Sequence, residues 1–99
     1  MQRFDILVTY DVAITTKAGQ RRLRNVATVC QNYGQRVQLS VFECRVTLAQ
    51  LEQLESELLS IIDPKNDSLR ISVLYGGRSK SLRAHGRDRS VDFDEPMVL

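Results

Sequence analysis

The segment FDILVTYD, residues 4–11, decides the fold, because it is a short apolar run that ends on an acidic residue. Every second side chain in it is apolar or aromatic: Phe4, Ile6, Val8 and Tyr10. This period of two is typical of a β-strand, and Leu7 makes the second face partly apolar as well, as in a central strand. We therefore expect a central strand with Asp11 at its C-terminal end, where a side chain can leave the core while the sheet fixes its backbone.

Length and composition limit the class of protein. The chain has 99 residues, 42% of them hydrophobic, which suits one domain with a single core. Its longest apolar run is far shorter than the roughly 20 residues that span a bilayer, and an acid interrupts the N-terminal segment where a signal peptide would continue apolar. We expect a cytoplasmic protein with no membrane association. Cys30 and Cys44 are too few for a disulfide scaffold or a zinc site, and buried thiols in a reducing compartment are expected.

A first amphipathic helix is predicted over residues 17–33. Thr15 or Thr16 is the expected N-cap, and Gly34 fits a left-handed position after the last turn. The face opposite the apolar stripe is basic and carries Lys17, Arg21 and Arg24, with Arg22 beside them. A net charge of +2 does not by itself indicate a nucleic-acid binder, and a basic helix face is often only solvated surface. This helix begins soon after Asp11, however. If Asp11 binds a metal ion, the basic face could hold a phosphate backbone near it.

The middle of the chain alternates between strands and one further helix. Residues 36–46 are extended, but their apolar pattern slips by one position midway, which indicates two short strands or one bent strand. Residues 47–62 form a second helix, in which Thr47 and Gln50 are spaced as a capping box. Its outer face is predicted to be acidic, with Glu52, Glu55 and Glu57. Residues 68–75 are again a strand.

The chain after residue 77 has a different character. Residues 78–89 hold five basic residues, one acid and His85, which predicts a mobile basic arm or a disordered linker with a solvated histidine. Residues 90–99 mix acids with apolar side chains, and we expect them to add as an edge strand to a partner, to dock in another protein's groove, or to fray. We accordingly divide the chain into a domain at 1–77 and an arm with a tail at 78–99.

The order of elements is the β-α-β-β-α-β arrangement of the ferredoxin-like α+β fold. It places two helices on one face of a four-stranded antiparallel sheet, to which the C-terminal tail could add a strand. The other face, with Leu7 and Leu74 on it, is too apolar for a monomer, so we expect a homodimer with two-fold symmetry. Two Asp11 carboxylates facing each other across the axis would suit one hard divalent cation, Mg²⁺ or Mn²⁺.

Four short segments carry a family resemblance: YD at 10–11, RRLR at 21–24, YGQRVQLSVFE at 33–43 and DSLRI at 67–71. In this order and spacing they resemble the Cas-two family of small CRISPR-associated adaptation proteins. The resemblance covers residues 3–76. It implies a ferredoxin-like homodimer that binds nucleic acid, metal-dependent nuclease activity in some members, and a partnership with the CRISPR integrase during spacer acquisition.

The resemblance also implies site residues. Asp11 matches the metal-binding acid of the family. Positions near that acid or near the bound strand are matched by Tyr10, Arg21, Arg24, Arg36, Ser40 and Phe42. Together with Lys17 and Arg22 of the basic helix face, these residues make up the predicted nucleic-acid surface.

Two functions are compatible with these residues. In the first, the protein is a metal-dependent endonuclease, preferably an endoribonuclease, in which the cation activates a water and Arg21 and Arg24 neutralise charge on the phosphate. In the second, it is a non-catalytic scaffold that bridges integrase subunits and holds duplex DNA through its phosphates. With one acid per chain and no general base at a matching spacing, catalysis is permitted and not required. Without the resemblance, Asp11 would fit a turn or a helix cap equally well.

Overall fold

A computed structural model describes residues 2–75 and 78–86 of the chain. In chain order the elements are β1 (Phe4–Asp11), α1 (Lys17–Gln31), β2 (Gly34–Gln38), β3 (Val41–Val46), α2 (Leu48–Leu59), β4 (Ser68–Tyr75) and β5 (Arg78–Gly86). Within the described ranges, no helix is long and apolar enough to cross a membrane.

The strands form one antiparallel sheet in the order β2-β3-β1-β4-β5. The predicted position of β1 at the centre is confirmed, as is the ferredoxin-like α+β class. Both helices cover one face of the sheet, where a single core joins side chains of β1, β3 and β4 to those of the helices: Ile6, Val8, Val26, Cys30, Phe42, Leu54, Leu58 and Ile71. Because side chains alternate along β1, Asp5, Leu7, Thr9 and Asp11 lie on the opposite face, which neither α1 nor α2 covers.

The first helix begins as predicted but ends earlier. Thr16 is the N-cap, and its hydroxyl accepts a hydrogen bond from the Gly19 N–H at 3.0 Å. The helix ends at Gln31, and the prediction of Gly34 as a left-handed cap is wrong, since Gly34 is the first residue of β2. A Cβ at Gly34 would lie 2.2 Å from the Glu43 carbonyl oxygen, so this glycine is needed for the close approach of β2 to β3.

The predicted capping box of the second helix is confirmed, whereas its acidic outer face is only partly correct. Thr47 and Gln50 exchange the two hydrogen bonds of the box, and α2 spans Leu48–Leu59. Glu52 is exposed, but Glu55 and Glu57 are half-buried. Glu57 accepts a hydrogen bond from the Tyr33 hydroxyl at 2.8 Å, which links α2 to the end of α1.

The prediction of a mobile basic arm is wrong for residues 78–86, which form β5 and extend the sheet to five strands. Two side chains of this strand bind the same carboxylate on α2: Arg83 Nε lies 2.7 Å and His85 Nε2 lies 2.6 Å from Glu55. The strand ends at Gly86, whose φ of 88° lies in the left-handed region that glycine favours. The tail at 90–99, predicted to dock on a partner, lies outside the described residues.

Candidate nucleic-acid and metal site

Asp11 is the last residue of the central strand, where it pairs with Ser68 of β4. Its side chain is exposed and lies on the face of the sheet that the helices leave open. A carboxylate in this place can reach a ligand in solvent while the pairing with β4 holds its backbone. Among the described residues, no cluster of three or more His, Cys, Asp or Glu side chains is present. The described part of one chain therefore brings together fewer than three such ligands, and a second copy or water would have to supply the others.

The basic face of α1 is present as predicted. Lys17, Arg21 and Arg24 recur at helical spacing and are exposed. The helix that carries them starts just after the loop that follows Asp11. These three cations can contact phosphate oxygens without any rearrangement of the core.

Arg22 differs from these three cations, because its guanidinium is bound within the chain, and its role as a nucleic-acid ligand stays a prediction. Its guanidinium makes two hydrogen bonds to Asp67, from Nε to Oδ2 at 2.8 Å and from Nη2 to Oδ1 at 3.3 Å. The Arg22 side chain is 21% exposed and that of Asp67 is 0% exposed. The charge of Arg22 is thus used inside the protein to neutralise a buried carboxylate.

Asp67 is the centre of a junction of three segments. Besides Arg22 of α1, it accepts hydrogen bonds from the N–H of Ala13 at 3.0 Å and from the N–H of Asp63 at 2.8 Å. Burial by itself raises the pKa of Asp67, but the hydrogen bonds from Arg22, Asp63 and Ala13 outweigh this effect, and the pKa is lowered below its ordinary value. Asp67 is therefore ionised in the folded protein. Its position just before β4 was visible in the DSLRI segment, but that position alone gave no sign of its partners.

Tyr10 and Phe42, predicted to contact nucleic acid, are core residues whose rings present almost no surface to solvent. Their rings stack with centroids 6.2 Å apart, and they are 3% and 0% exposed. The guanidinium carbon of the exposed Arg36 lies 5.2 Å from the centre of the Phe42 ring. Tyr10 also donates two hydrogen bonds to the β2–β3 turn, from its hydroxyl to the Leu39 carbonyl at 3.4 Å and from its N–H to the Ser40 carbonyl at 3.1 Å. The aromatic pair thus packs beneath the surface, where Tyr10 contacts the β2–β3 turn and Phe42 contacts the Arg36 guanidinium.

The other reactive side chains lie away from Asp11. His85 lies on the helix-covered side of the sheet, bound to Glu55, so it cannot act as a base for a group on the open face. Cys30 and Cys44 are buried, and burial is the main reason that their pKa values rise to about 12 and about 11. Both thiols are unreactive at neutral pH, in line with their prediction as packing residues.

Comparisons with known proteins identify a family, two relatives and a solved structure to which this chain is similar. The model of the family "CRISPR associated protein Cas2" matches residues 4–80. The chain is 54% identical to the CRISPR-associated endoribonuclease Cas2 1 of Moorella thermoacetica, over 95% of this chain and 98% of that protein. It is 47% identical, over the same shares, to the CRISPR-associated endonuclease Cas2 of Halalkalibacterium halodurans. The crystal structure of Streptococcus pyogenes Cas2 at pH 6.5 superposes with a TM-score of 0.68 at 54% identity, covering 72% of this chain and 86% of that one.

These similarities confirm two expectations. The family is the one that the four sequence segments resemble, and its matched range contains Asp11, the basic face of α1 and Asp67. The relatives' names agree with the predicted nuclease chemistry.

Proposed function

The chain belongs to the CRISPR-associated Cas2 family, and we propose that it is a metal-dependent endonuclease that works as a homodimer in spacer acquisition. The observation that carries this proposal is the exposed carboxylate of Asp11 at the end of β1, with the exposed basic face of α1 following it in the chain. RNA is the first substrate to test, because a relative at 54% identity is named an endoribonuclease.

The donor chemistry of the site fits Mg²⁺ or Mn²⁺ when two chains are brought together. Both ions prefer carboxylate and water oxygens, and Mg²⁺ commonly keeps several waters while binding one or two carboxylates. Asp11 of each chain would supply one carboxylate, and pairing of the open faces would also cover the half-buried Leu7 and Leu74. Such an ion, when bound, lowers the pKa of a coordinated water and polarises a phosphoryl oxygen.

The chain's own residues would hold the substrate. Lys17, Arg21 and Arg24 would bind successive phosphates, and those nearest the scissile bond would neutralise the charge that develops in the transition state. Contacts to phosphates do not read the base sequence, which suits a protein that must accept arbitrary foreign nucleic acid. We propose that this activity takes place in the cytoplasm, alongside CRISPR integrase subunits.

A second candidate is a non-catalytic scaffold that bridges integrase subunits and holds duplex DNA. Two observations favour it: the described part of the chain supplies no three-ligand metal cluster, and the exposed cations of α1 need no metal to bind phosphate. In that case the homodimer, the basic face and the integrase partnership are kept, and Asp11 has no chemical role.

The substitution Asp11→Asn separates the two functions. A labelled RNA and a labelled DNA duplex are incubated with the full-length protein and Mg²⁺ or Mn²⁺, and cleavage and binding are measured in parallel. For the endonuclease, Asp11→Asn should lower the cleavage rate by about 100-fold or more, because it removes the charged ligand of the ion, and should leave binding within about twofold. Asp5→Asn is the matched control, since Asp5 is an exposed carboxylate on the same face of the same strand at its other end. Equal cleavage by the wild type and Asp11→Asn would refute the endonuclease, and binding without cleavage by the wild type would favour the scaffold.

A further inference from the structure

We propose that Asp67 is a positioning residue for the Asp11 site, a role that rests on the proposed function. Asp67 is fully buried, yet its carboxylate accepts four hydrogen bonds from three segments of the chain. A buried charge is costly unless it is paired, so moving any of these donors away from the carboxylate would cost free energy.

The backbone around Asp11 is fixed by Asp67 on two sides. The Ala13 N–H that donates to Asp67 Oδ1 lies two residues beyond Asp11. Ser68, the next residue after Asp67, is the β4 partner of Asp11 in the sheet. A shift of Asp67 must therefore move either the loop that leaves Asp11 or the strand that pairs with it.

The same carboxylate also sets the placement of the basic face. Arg22 lies beside Arg21 in α1, and its two hydrogen bonds to Asp67 fix how the helix is rotated against the sheet. The first turn of α1 already lies tightly against the loop after Asp11, because a Cβ at Gly19 would be 1.9 Å from the Ala13 carbonyl oxygen. Asp67 thus sets the spacing between the Asp11 carboxylate and the cations that would hold the phosphates.

The backbone of Asp67 has equally little freedom. A Cβ at Gly86, the last residue of β5, would lie 2.1 Å from the Asp67 carbonyl oxygen. The junction therefore has packed atoms on both sides, and a changed side chain would shift its neighbours. Cleavage of a phosphodiester depends on alignment, and a misplacement of about 1 Å can cost about 100-fold in rate.

The test compares Asp67→Asn with Glu55→Gln. Glu55 is a matched control because it also pairs with an arginine, at 2.7 Å, but joins α2 to β5 instead of holding the loop after Asp11. Cleavage rates at saturating Mg²⁺, and the affinity for Mn²⁺ alone, are measured at a temperature where circular dichroism shows each variant folded. We expect Asp67→Asn to lower the rate about 10- to 100-fold and to weaken Mn²⁺ binding, and Glu55→Gln to stay within about twofold of the wild type.

A second variant covers the case in which Asp67→Asn does not fold. Arg22→Gln leaves the two backbone donors to Asp67 in place, and we expect it to lower the rate about 3- to 10-fold, with partial recovery in Arg22→Lys. Rates for the folded variants of Asp67 and Arg22 equal to that of Glu55→Gln would overturn the positioning role alone. A wild-type protein that neither cleaves nor binds Mn²⁺ would instead overturn the proposed function, and the positioning role with it.

Discussion

Two carboxylates lie at the same end of the sheet, and they differ in burial. Asp67 is fully buried and accepts hydrogen bonds from Arg22, Ala13 and Asp63. Asp11, the sheet partner of the residue next to Asp67, is exposed on the open face. The first acid is committed to holding three segments together, and the second is accessible to a ligand from solvent. The same residue type is therefore buried in a structural junction at one position and exposed to solvent at the other.

The two neighbouring arginines of α1 divide in the same way. Arg22 turns inward to the buried carboxylate, whereas Arg21 is exposed. A rotation of about 100° per residue around the helix separates their directions. The number of basic residues in a run therefore overestimates the number of charges that a nucleic acid can contact, because one of those residues can be required for folding.

The largest expected effect is the loss of stability when Asp67 is removed, with removal of Asp11 as the comparison. Asp67→Ala should lower the free energy of unfolding by roughly 3–5 kcal/mol, since it leaves Arg22 without its partner and two backbone N–H groups without an acceptor. Asp11→Ala should change it by no more than about 1 kcal/mol, the usual range for an exposed charge. Urea unfolding followed by circular dichroism measures both. Similar losses for the two variants would contradict the division into a structural and an accessible acid.

Acid pH should destabilise the protein through Asp67. The pKa of Asp67 is lower in the folded protein than in the unfolded chain, so its contribution to stability is complete above the unfolded pKa of about 4 and is lost as pH falls through the folded value. The wild type should therefore lose stability on acidification more steeply than Asp67→Asn. The comparison needs urea unfolding curves at a series of pH values below neutral. Equal pH dependence in the two proteins would show that Asp67 titrates normally.

Much of the fold could be predicted because local patterns and tertiary packing agree there. The alternation in β1 and the capping box of Thr47 and Gln50 both predicted elements that the structure contains. β5 was missed because its basic sequence has no apolar period. It is held instead by its pairing with the preceding strand β4 and by the Glu55 carboxylate, which is distant from Arg83 in the sequence.

The candidate site could be predicted only in part, for a related reason. Asp11, Lys17, Arg21 and Arg24 were correctly expected at accessible positions, because strand ends and helix faces follow from periodicity. The burial of Phe42 could not be predicted from its match to a family position, because such a match does not say which way a side chain points. Partners of Arg22 across the chain cannot be read from spacing at all.

The smallest expected effect, on binding of nucleic acid, tests the division between Arg21 and Arg22 directly. Arg21→Gln should weaken binding to a DNA or RNA duplex severalfold at low salt and reduce the dependence of log affinity on log salt concentration by about 1, the effect of one lost phosphate contact. Arg22→Gln should leave that slope unchanged, since its charge is already neutralised by Asp67. Fluorescence anisotropy titrations over a range of salt concentrations, with both variants folded, give the two slopes. A reduced slope for Arg22→Gln would mean that Arg22 leaves Asp67 to bind phosphate. The Arg22–Asp67 pair would then open when nucleic acid binds, and it would not be a fixed support for the fold.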